Sequence, residues 1–355
     1  AKYFDGLTIR GNTIKGAGLY DTGIRLDYCD GANVVEDNSI YGPDMTYGIY
    51  LNYCQATSGN EATIANNLIS VEDNGIYFYR YNYYQNIYYN SVKVRDSYAL
   101  YTDYGNSTNT LKNNIFYTES ASTPAAYIYN ASVLDSSDYN DFYSSFAYPI
   151  YVSGNKTLAQ WQANVQDLNS VNIDPVYDAD SSLVPRSYLL DNLGTPIASI
   201  LDDMNGNSRG DTPDMGAMEF TVTGSHLAAG SYTIGSGGDY GSISTALNDL
   251  SIYGISGPIT FNILPGVYTE QLTIGEIYGT SATNTLTIQS STGDTADVSW
   301  QYTPTSSANY ILQVNGTDHL TISNIGFDVS ASSSYGTILE ISGETDSLKI
   351  EGNEF

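Results

Sequence analysis

The residues best suited to chemistry sit where tyrosines, carboxylates and one arginine recur at a common spacing. Arg80 is one of six arginines in the chain and is flanked by Tyr79 and Tyr81. Asp27 and Asp103 occupy related places in neighbouring segments. A cation that neutralises a uronate carboxylate, with a carboxylate that removes the adjacent proton, is what elimination from an acidic polysaccharide requires. Arg80 with Asp27 or Asp103 could supply that pair, and the two aspartates could hold Ca²⁺ through oxygen ligands. The competing reading is structural: an arginine stacked on tyrosines and paired with surface carboxylates.

A second group is aromatic. Tyr50, Tyr77, Tyr101 and Tyr127 fall at the outward position of one short recurring strand, in line with Arg25, Gln313 and Glu340. Tyr28, Tyr53, Arg80 and Tyr104 form a parallel line three positions on. Flat rings with polar tips suit sugar binding, which makes Tyr50, Tyr77, Tyr101, Tyr127, Tyr53 and Tyr104 candidate binding residues. The same spacing also serves a ring ladder that only stabilises the fold.

Other chemistries find little support. A glycosidase needs two carboxylates about 5–9 Å apart across a cleft, and 39 acidic residues satisfy that by chance. Asp203, Asn205 and Asn207 alternate like the start of a calcium loop, but the glycine and distant glutamate of an EF-hand are misplaced. A turn held by Arg209 is the simpler reading. The two histidines, His226 and His319, make no zinc site. Cys29 and Cys54 share the contexts Leu-Asp-Tyr-Cys and Leu-Asn-Tyr-Cys. They are expected to stack on adjacent turns of chain, either as a disulfide or as half-buried thiols. No glycine-rich phosphate loop opens a helix, so no cofactor is expected beyond Ca²⁺.

Composition narrows the partners. The 355 residues carry 12 Lys and Arg against 39 Asp and Glu, a formal charge of −27. A phosphate backbone or an anionic membrane surface wants a basic face, so neither nucleic acid nor membrane is expected. No apolar run reaches the length of a membrane span. Tyr at 34 and Gly at 33 favour strands and turns over helices.

The elements that must position these residues come from a repeat. The pattern apolar-x-x-Asn-x-apolar recurs with its asparagine at Asn12, Asn38, Asn67, Asn90 and Asn114, with a degenerate copy at Asn140, 23 to 29 residues apart. It returns in Ile350-Glu351-Gly352-Asn353-Glu354-Phe355 and, more loosely, from His319 to Phe327. Between copies lie Gly23-Ile24-Arg25-Leu26, Gly48-Ile49-Tyr50-Leu51, Gly75-Ile76-Tyr77-Phe78, Ala99-Leu100-Tyr101-Thr102 and Ala125-Ala126-Tyr127-Ile128. One short strand cannot bury its own face, but coils stacked on one another supply both hydrogen bonds and core. An asparagine at each bend can bond its own turn, tolerate a left-handed backbone and build a ladder. A propeller would need a period near 40 residues. The sequence resembles right-handed parallel β-helix proteins of the pectate-lyase-like superfamily, of secreted bacterial type. That resemblance implies an all-β right-handed parallel β-helix with one short capping helix near Ile243 to Leu250.

The parts stand in an unusual order. The stretch from Ser231 to Ile274 resembles the N-terminal cap of β-helix proteins. Asp202 to Phe220 resembles their closing segment, in which a last strand follows an Asp-Gly-Asn-x-Arg-like loop. Gly224-Ser225-His226 between them matches the scar of a cleaved purification tag. The expected organisation is coils over 1–200, a closing segment over 201–222, a linker over 223–230, and a cap with first coils over 231–355. A circular permutant accounts for that order; a piece of a tandem array is the alternative. No signal peptide opens the sequence, so export to the outside or the cell surface would rely on a segment removed or absent here. Open β edges at the first and last coils invite end-to-end self-association. The functional expectation is a non-catalytic secreted or surface scaffold, or a carbohydrate-facing adhesin. A lyase or glycoside hydrolase acting on an extracellular polysaccharide is the other reading.

Overall fold

In each repeat, apolar residues two apart flank one outward residue, so a short strand turns one face inward. Ile24, Ile49, Ile76, Leu100, Ala126 and Ile150 pair in register from coil to coil, and all are buried. The computed structural model describes every residue except 164–165, 178, 307–308, 331–334 and 344. The described chain divides into two compact units, Ala1–Val222 and Thr223–Phe355.

The first unit is a solenoid of three parallel sheets. One sheet has six strands, from Thr8–Arg10 to Leu134–Asp138; the second has six, from Thr13–Lys15 to Asp141–Ser144. The third runs from Thr22–Asp27 to Ile150–Val152 and is closed by the antiparallel strand Asn155–Lys156. Their inner faces make one core from Ile24 to Trp161.

The asparagine ladder is present. Asn12, Asn38, Asn67, Asn90 and Asn114 each donate a side-chain amide to the Oδ1 of the next at 2.9–3.0 Å, ending on Asn140. One expectation needs correction. The left-handed backbone belongs to the residue before each ladder asparagine: Gly11, Asp37, Asn66, Tyr89, Asn113 and Tyr139 all have φ between 52° and 69°. The ladder asparagine is freed to point inward, where its amide satisfies buried backbone carbonyls.

Two features go beyond the expected single helix. Helix α1, Leu158–Gln162, starts at a Thr157–Gln160 capping box and drops the buried Trp161 onto the end of the core. Trp161 Nε1 donates to Asp167 at 2.6 Å, and Asp167 accepts the amide of Asn140, which terminates the ladder. The chain then folds back as a strap along the outside. No strand is assigned among the described residues of 201–222, contrary to the expected closing strand. Leu183 and Met218 instead cover Leu68, and Leu190 and Met215 cover Ile115. The strap's backbone bonds go to coil corners: Thr195 exchanges hydrogen bonds with the Asn113 side chain, and Gly216 N–H donates to Asn113 O.

The second unit has parallel sheets of five, three and three strands around its own core. Helix α2, Ile243–Tyr253, runs three residues past the expected Leu250. It buries Ile243, Ala246, Leu247 and Leu250. Ser242 caps it, and the Glu270 carboxylate accepts the N–H groups of Ile243 and Ser244. Gly254, at φ 63°, ends it.

Candidate functional site

Outward residues of the third sheet form the expected column. Arg25, Tyr50, Tyr77, Tyr101 and Tyr127 stand in register, and Tyr151 extends the column by one. Successive rings from Tyr50 to Tyr151 lie 4.5–5.4 Å apart with planes within 11°. The Arg25 guanidinium covers the far face of Tyr50 at 4.4 Å. Tyr47 and Tyr98 meet the column from the side. The ring faces are therefore spent on one another, and edges and hydroxyls are what the column turns outward. Burial pushes the phenols of Tyr50 and Tyr101 up to about 12. A sugar that stacks on an aromatic needs the face rather than the edge, so this column is built as a stabilising ladder. Gln313 and Glu340, expected in the same line, pair with each other at 2.7 Å in the second unit.

The second line departs from its expected register. Tyr28 stacks on Tyr53 at 4.9 Å, and Tyr53 lies next to Tyr81, not Arg80. Tyr28, Tyr53 and Tyr81 all hold left-handed corners. Tyr79-Arg80-Tyr81 carries one residue more than Asn52-Tyr53, so Arg80 is displaced by one place. The next coil puts Gly105 at the corner, at φ 79°, beneath the Tyr81 ring. Beyond the same corner, Asn82 donates to Asn106 Oδ1 at 2.9 Å and accepts the Cys54 N–H. The repeat pattern does not announce this second, short ladder, because its asparagines lack the flanking apolar residues of the first. Cys54 heads it. Cys29 and Cys54 are both fully buried and both free, and burial pushes the Cys54 thiol up to about 12.

Of the candidate catalytic residues, Arg80 and Asp103 come together as an ion pair, while Asp27 stands apart. The Arg80 guanidinium lies between the rings of Tyr79 and Tyr104, 4.6 Å from each. Its Nε is 3.9 Å from Asp103 Oδ2, beyond hydrogen-bond reach, and has no hydrogen-bond partner. Asp27 sits two coils from Arg80 and three from Asp103, about 10 and 14 Å along the sheet, where it accepts Arg25 Nε at 2.7 Å and the Asn52 amide at 3.0 Å. Burial acts to raise its carboxyl, but those hydrogen bonds outweigh it and hold Asp27 below the usual range. No single Ca²⁺ could bridge Asp27 and Asp103.

The alternating Asp203, Asn205 and Asn207 make a turn. The Asp203 carboxylate accepts the N–H groups of Asn205, Asn207 and Glu219 and the Asn207 amide, all at 2.8–2.9 Å. Oxygens filled by donors leave no lone pair aimed at a cation. Arg209 does hold this region: it bonds Glu219, Asn66 Oδ1 and Gly216 O, and lies 3.8 Å over the Tyr89 ring. Among the described residues no three His, Cys, Asp or Glu side chains are placed to share a metal ion.

Several shallow depressions mark the surface, and one of them combines rings with amides and hydroxyls. That one, on the coil corners, is walled by Tyr83 and Tyr84, with Asn106, Ser107, Asn130 and Ser132 around it. Both tyrosines stand outside the two ring columns. Sequence reasoning missed them because they fall in the turn between the second line and the next repeat copy.

Residues 2–166 match the family model for the right handed beta helix region. With the three parallel sheets and inward asparagine ladder, that match makes the first unit a right-handed parallel β-helix, a repeat scaffold. No curated protein matches the chain.

Proposed function

We propose that this chain is a non-catalytic β-helix scaffold of the secreted or cell-surface type, whose best surface for a polysaccharide is a shallow depression lined by uncharged side chains. The observation that supports this is how its distinctive side chains are used. The asparagines bond to one another, the tyrosine faces cover one another, and the Arg80 guanidinium lies against two rings with Asp103 as its ion-pair partner at 3.9 Å. Catalysis needs groups held ready for a substrate, and here they are held by their neighbours.

If the surface meets a glycan, the depression at Tyr83 and Tyr84 fits best, since it pairs rings with amides and hydroxyls. The order of the parts is that of a permuted solenoid. The second unit carries the capping helix α2, and the first carries the closing strap. Incubation with alginate, pectate and other uronates, followed at the unsaturated-sugar absorbance band, tests the non-catalytic reading. No new absorbance is expected; absorbance that Arg80→Ala abolishes would establish a lyase instead. A glycan array on wild type and Tyr84→Ala tests the surface.

A further inference from the structure

The two cysteines of the chain fall on one column of the first solenoid. Asp27 pairs with Asn52, Tyr28 stacks on Tyr53 at 4.9 Å, and Gly31 N–H donates to Gln55 O at 3.0 Å. These contacts on either side set Cys29 against Cys54 of the next coil. We propose that Cys29 and Cys54 are a cross-coil disulfide site, which closes when the chain folds in the presence of a small-molecule disulfide and staples the two coils together.

Further along the same column, side chains at this place meet from coil to coil. Gln55 pairs with Tyr83 and Tyr83 with Ser107, so Cys54, Asn82 and Asn106 follow in line. The amides of Asn82 and Asn106 touch at 2.9 Å. Both cysteines leave the backbone the same way: Cys29 Sγ lies 3.5 Å from Asp27 O, and Cys54 Sγ 3.7 Å from Asn52 O. Cys54 Sγ also reaches back to Leu26 O at 3.5 Å, on the coil of Cys29, as the Asn82 amide reaches Leu51 O at 3.4 Å. The backbone is pinned on both coils, because the Asn33 amide donates to Cys29 O at 2.7 Å and the Gln85 amide to Cys54 O at 3.1 Å. Neighbouring parallel strands lie about 4.8 Å apart, inside the roughly 4.4–6.8 Å between α-carbons that a disulfide spans.

The bond forms by thiol–disulfide exchange. One cysteine thiolate attacks a sulfur of the small disulfide, which gives a mixed disulfide and releases one small thiolate. The other cysteine thiolate attacks the protein sulfur of that mixed disulfide and expels the second. Two electrons pass from the cysteine sulfurs to the oxidant, and the two cysteine protons end on the small thiols. Both sulfurs are fully buried once the coils have stacked. Burial pushes the Cys54 thiol up to about 12, against the pull of the Cys29 N–H, so exchange belongs to the folding chain, before the coils close. The closed loop is one coil, and the bond removes the freedom of that loop from the unfolded chain.

Refolding in glutathione buffers tests this. The 355-residue chain, reduced in urea, is refolded over a series of reduced-to-oxidised glutathione ratios, quenched in acid and weighed by mass spectrometry. The same buffers with urea retained give the unfolded reference. The folded chain is expected to hold a bond linking Cys29 to Cys54 at ratios at least about tenfold more reducing than the unfolded chain tolerates. The linked chain is expected to regain the near-ultraviolet circular dichroism of the reduced one and to unfold at higher urea. A double variant, Cys29→Ala with Cys54→Ala, is expected to show the same urea midpoint in reducing and oxidising buffers, which assigns the shift to this pair. Half-oxidation at the same ratio with and without urea, a linked chain that lacks the native spectrum, or one that unfolds at the same or lower urea would each overturn the proposal.

Discussion

Asn90 gives its side-chain amide to Asn114 Oδ1 at 2.9 Å while its own Oδ1 accepts both the backbone N–H and the amide of Asn67, at 3.1 and 2.9 Å. All three asparagines are buried. Truncating Asn90 therefore strands two donors of Asn67 away from water. Buried unpaired groups cost about 1–3 kcal/mol each, so Asn90→Ala is expected to lower unfolding free energy by about 3–5 kcal/mol. Asn12, at the exposed end of the ladder, has water available, and Asn12→Ala is expected to cost under about 1 kcal/mol. Urea titrations of the two variants give the comparison, and equal losses would refute the ladder as the main polar support.

Tyr101 lies between Tyr77 at 4.7 Å and Tyr127 at 4.5 Å. Its removal breaks two ring contacts, each contributing about 0.5–1.5 kcal/mol beyond simple burial. Tyr101→Ala is expected to destabilise the protein by about 2–4 kcal/mol and to weaken the near-ultraviolet circular dichroism of the coupled rings. Affinity for any glycan found on an array is expected to stay unchanged, because the Tyr101 faces are not offered to solvent.

The solenoid is legible in the sequence because its physics is periodic. One inward asparagine and one apolar pair per coil repeat along the chain as they do in space, so the spacing of Asn38, Asn67 and Asn90 is enough to stack them. What the period does not encode was missed. The extra residue at Tyr79-Arg80-Tyr81 shifts a register by one place, and that single insertion moves Arg80 out of the ring column. The strap makes contacts across long separations, such as Arg209 with Asn66, which no local pattern announces. Helix α1 could have been found from Thr157, Gln160 and Trp161, a capping box ahead of a large apolar residue. The spacing put Tyr50, Tyr77, Tyr101 and Tyr127 in one column, but spacing alone could not tell a ring face from a ring edge.

Asp214 makes stability depend on pH in the strap. Burial pushes its carboxyl up to about 7, against the pull of the Phe220 and Asn192 N–H groups it accepts. An unfolded aspartate titrates near 3.9, so the folded state binds this proton more tightly. Its contribution is therefore most favourable below about pH 4 and drains away as pH rises to about 7, by on the order of 2–4 kcal/mol. Asp141, Asp167 and Asp174 are raised by burial in the same direction. Asp180, held low chiefly by its hydrogen bond from Lys93, acts oppositely and loses its contribution in acid. The urea midpoint is expected to be higher at pH 5 than at pH 8, and Asp214→Asn to flatten that difference while lowering the midpoint at pH 5. A midpoint that rises from pH 5 to pH 8 would contradict the assignment.

Arg209 fastens the strap to the coils. Its guanidinium is buried, lies 3.8 Å over the Tyr89 ring, and bonds Glu219, Asn66 and the carbonyl of Gly216. Removing one partner of a buried ion pair leaves the other charge uncompensated, at a cost of about 3–5 kcal/mol. The loss is expected to be local first, because Arg209 bonds the strap and its corner while the ladder and core of the coils stay intact. In Arg209→Met, amide hydrogen exchange is expected to accelerate across 195–222 while Leu68–Val71 and Ser91–Val94 remain protected. Arg209→Lys cannot reproduce the flat, multiply bonded guanidinium over Tyr89 and is expected to restore little of that protection. Uniform acceleration through the coil strands would instead mean that the strap and the solenoid open as one unit.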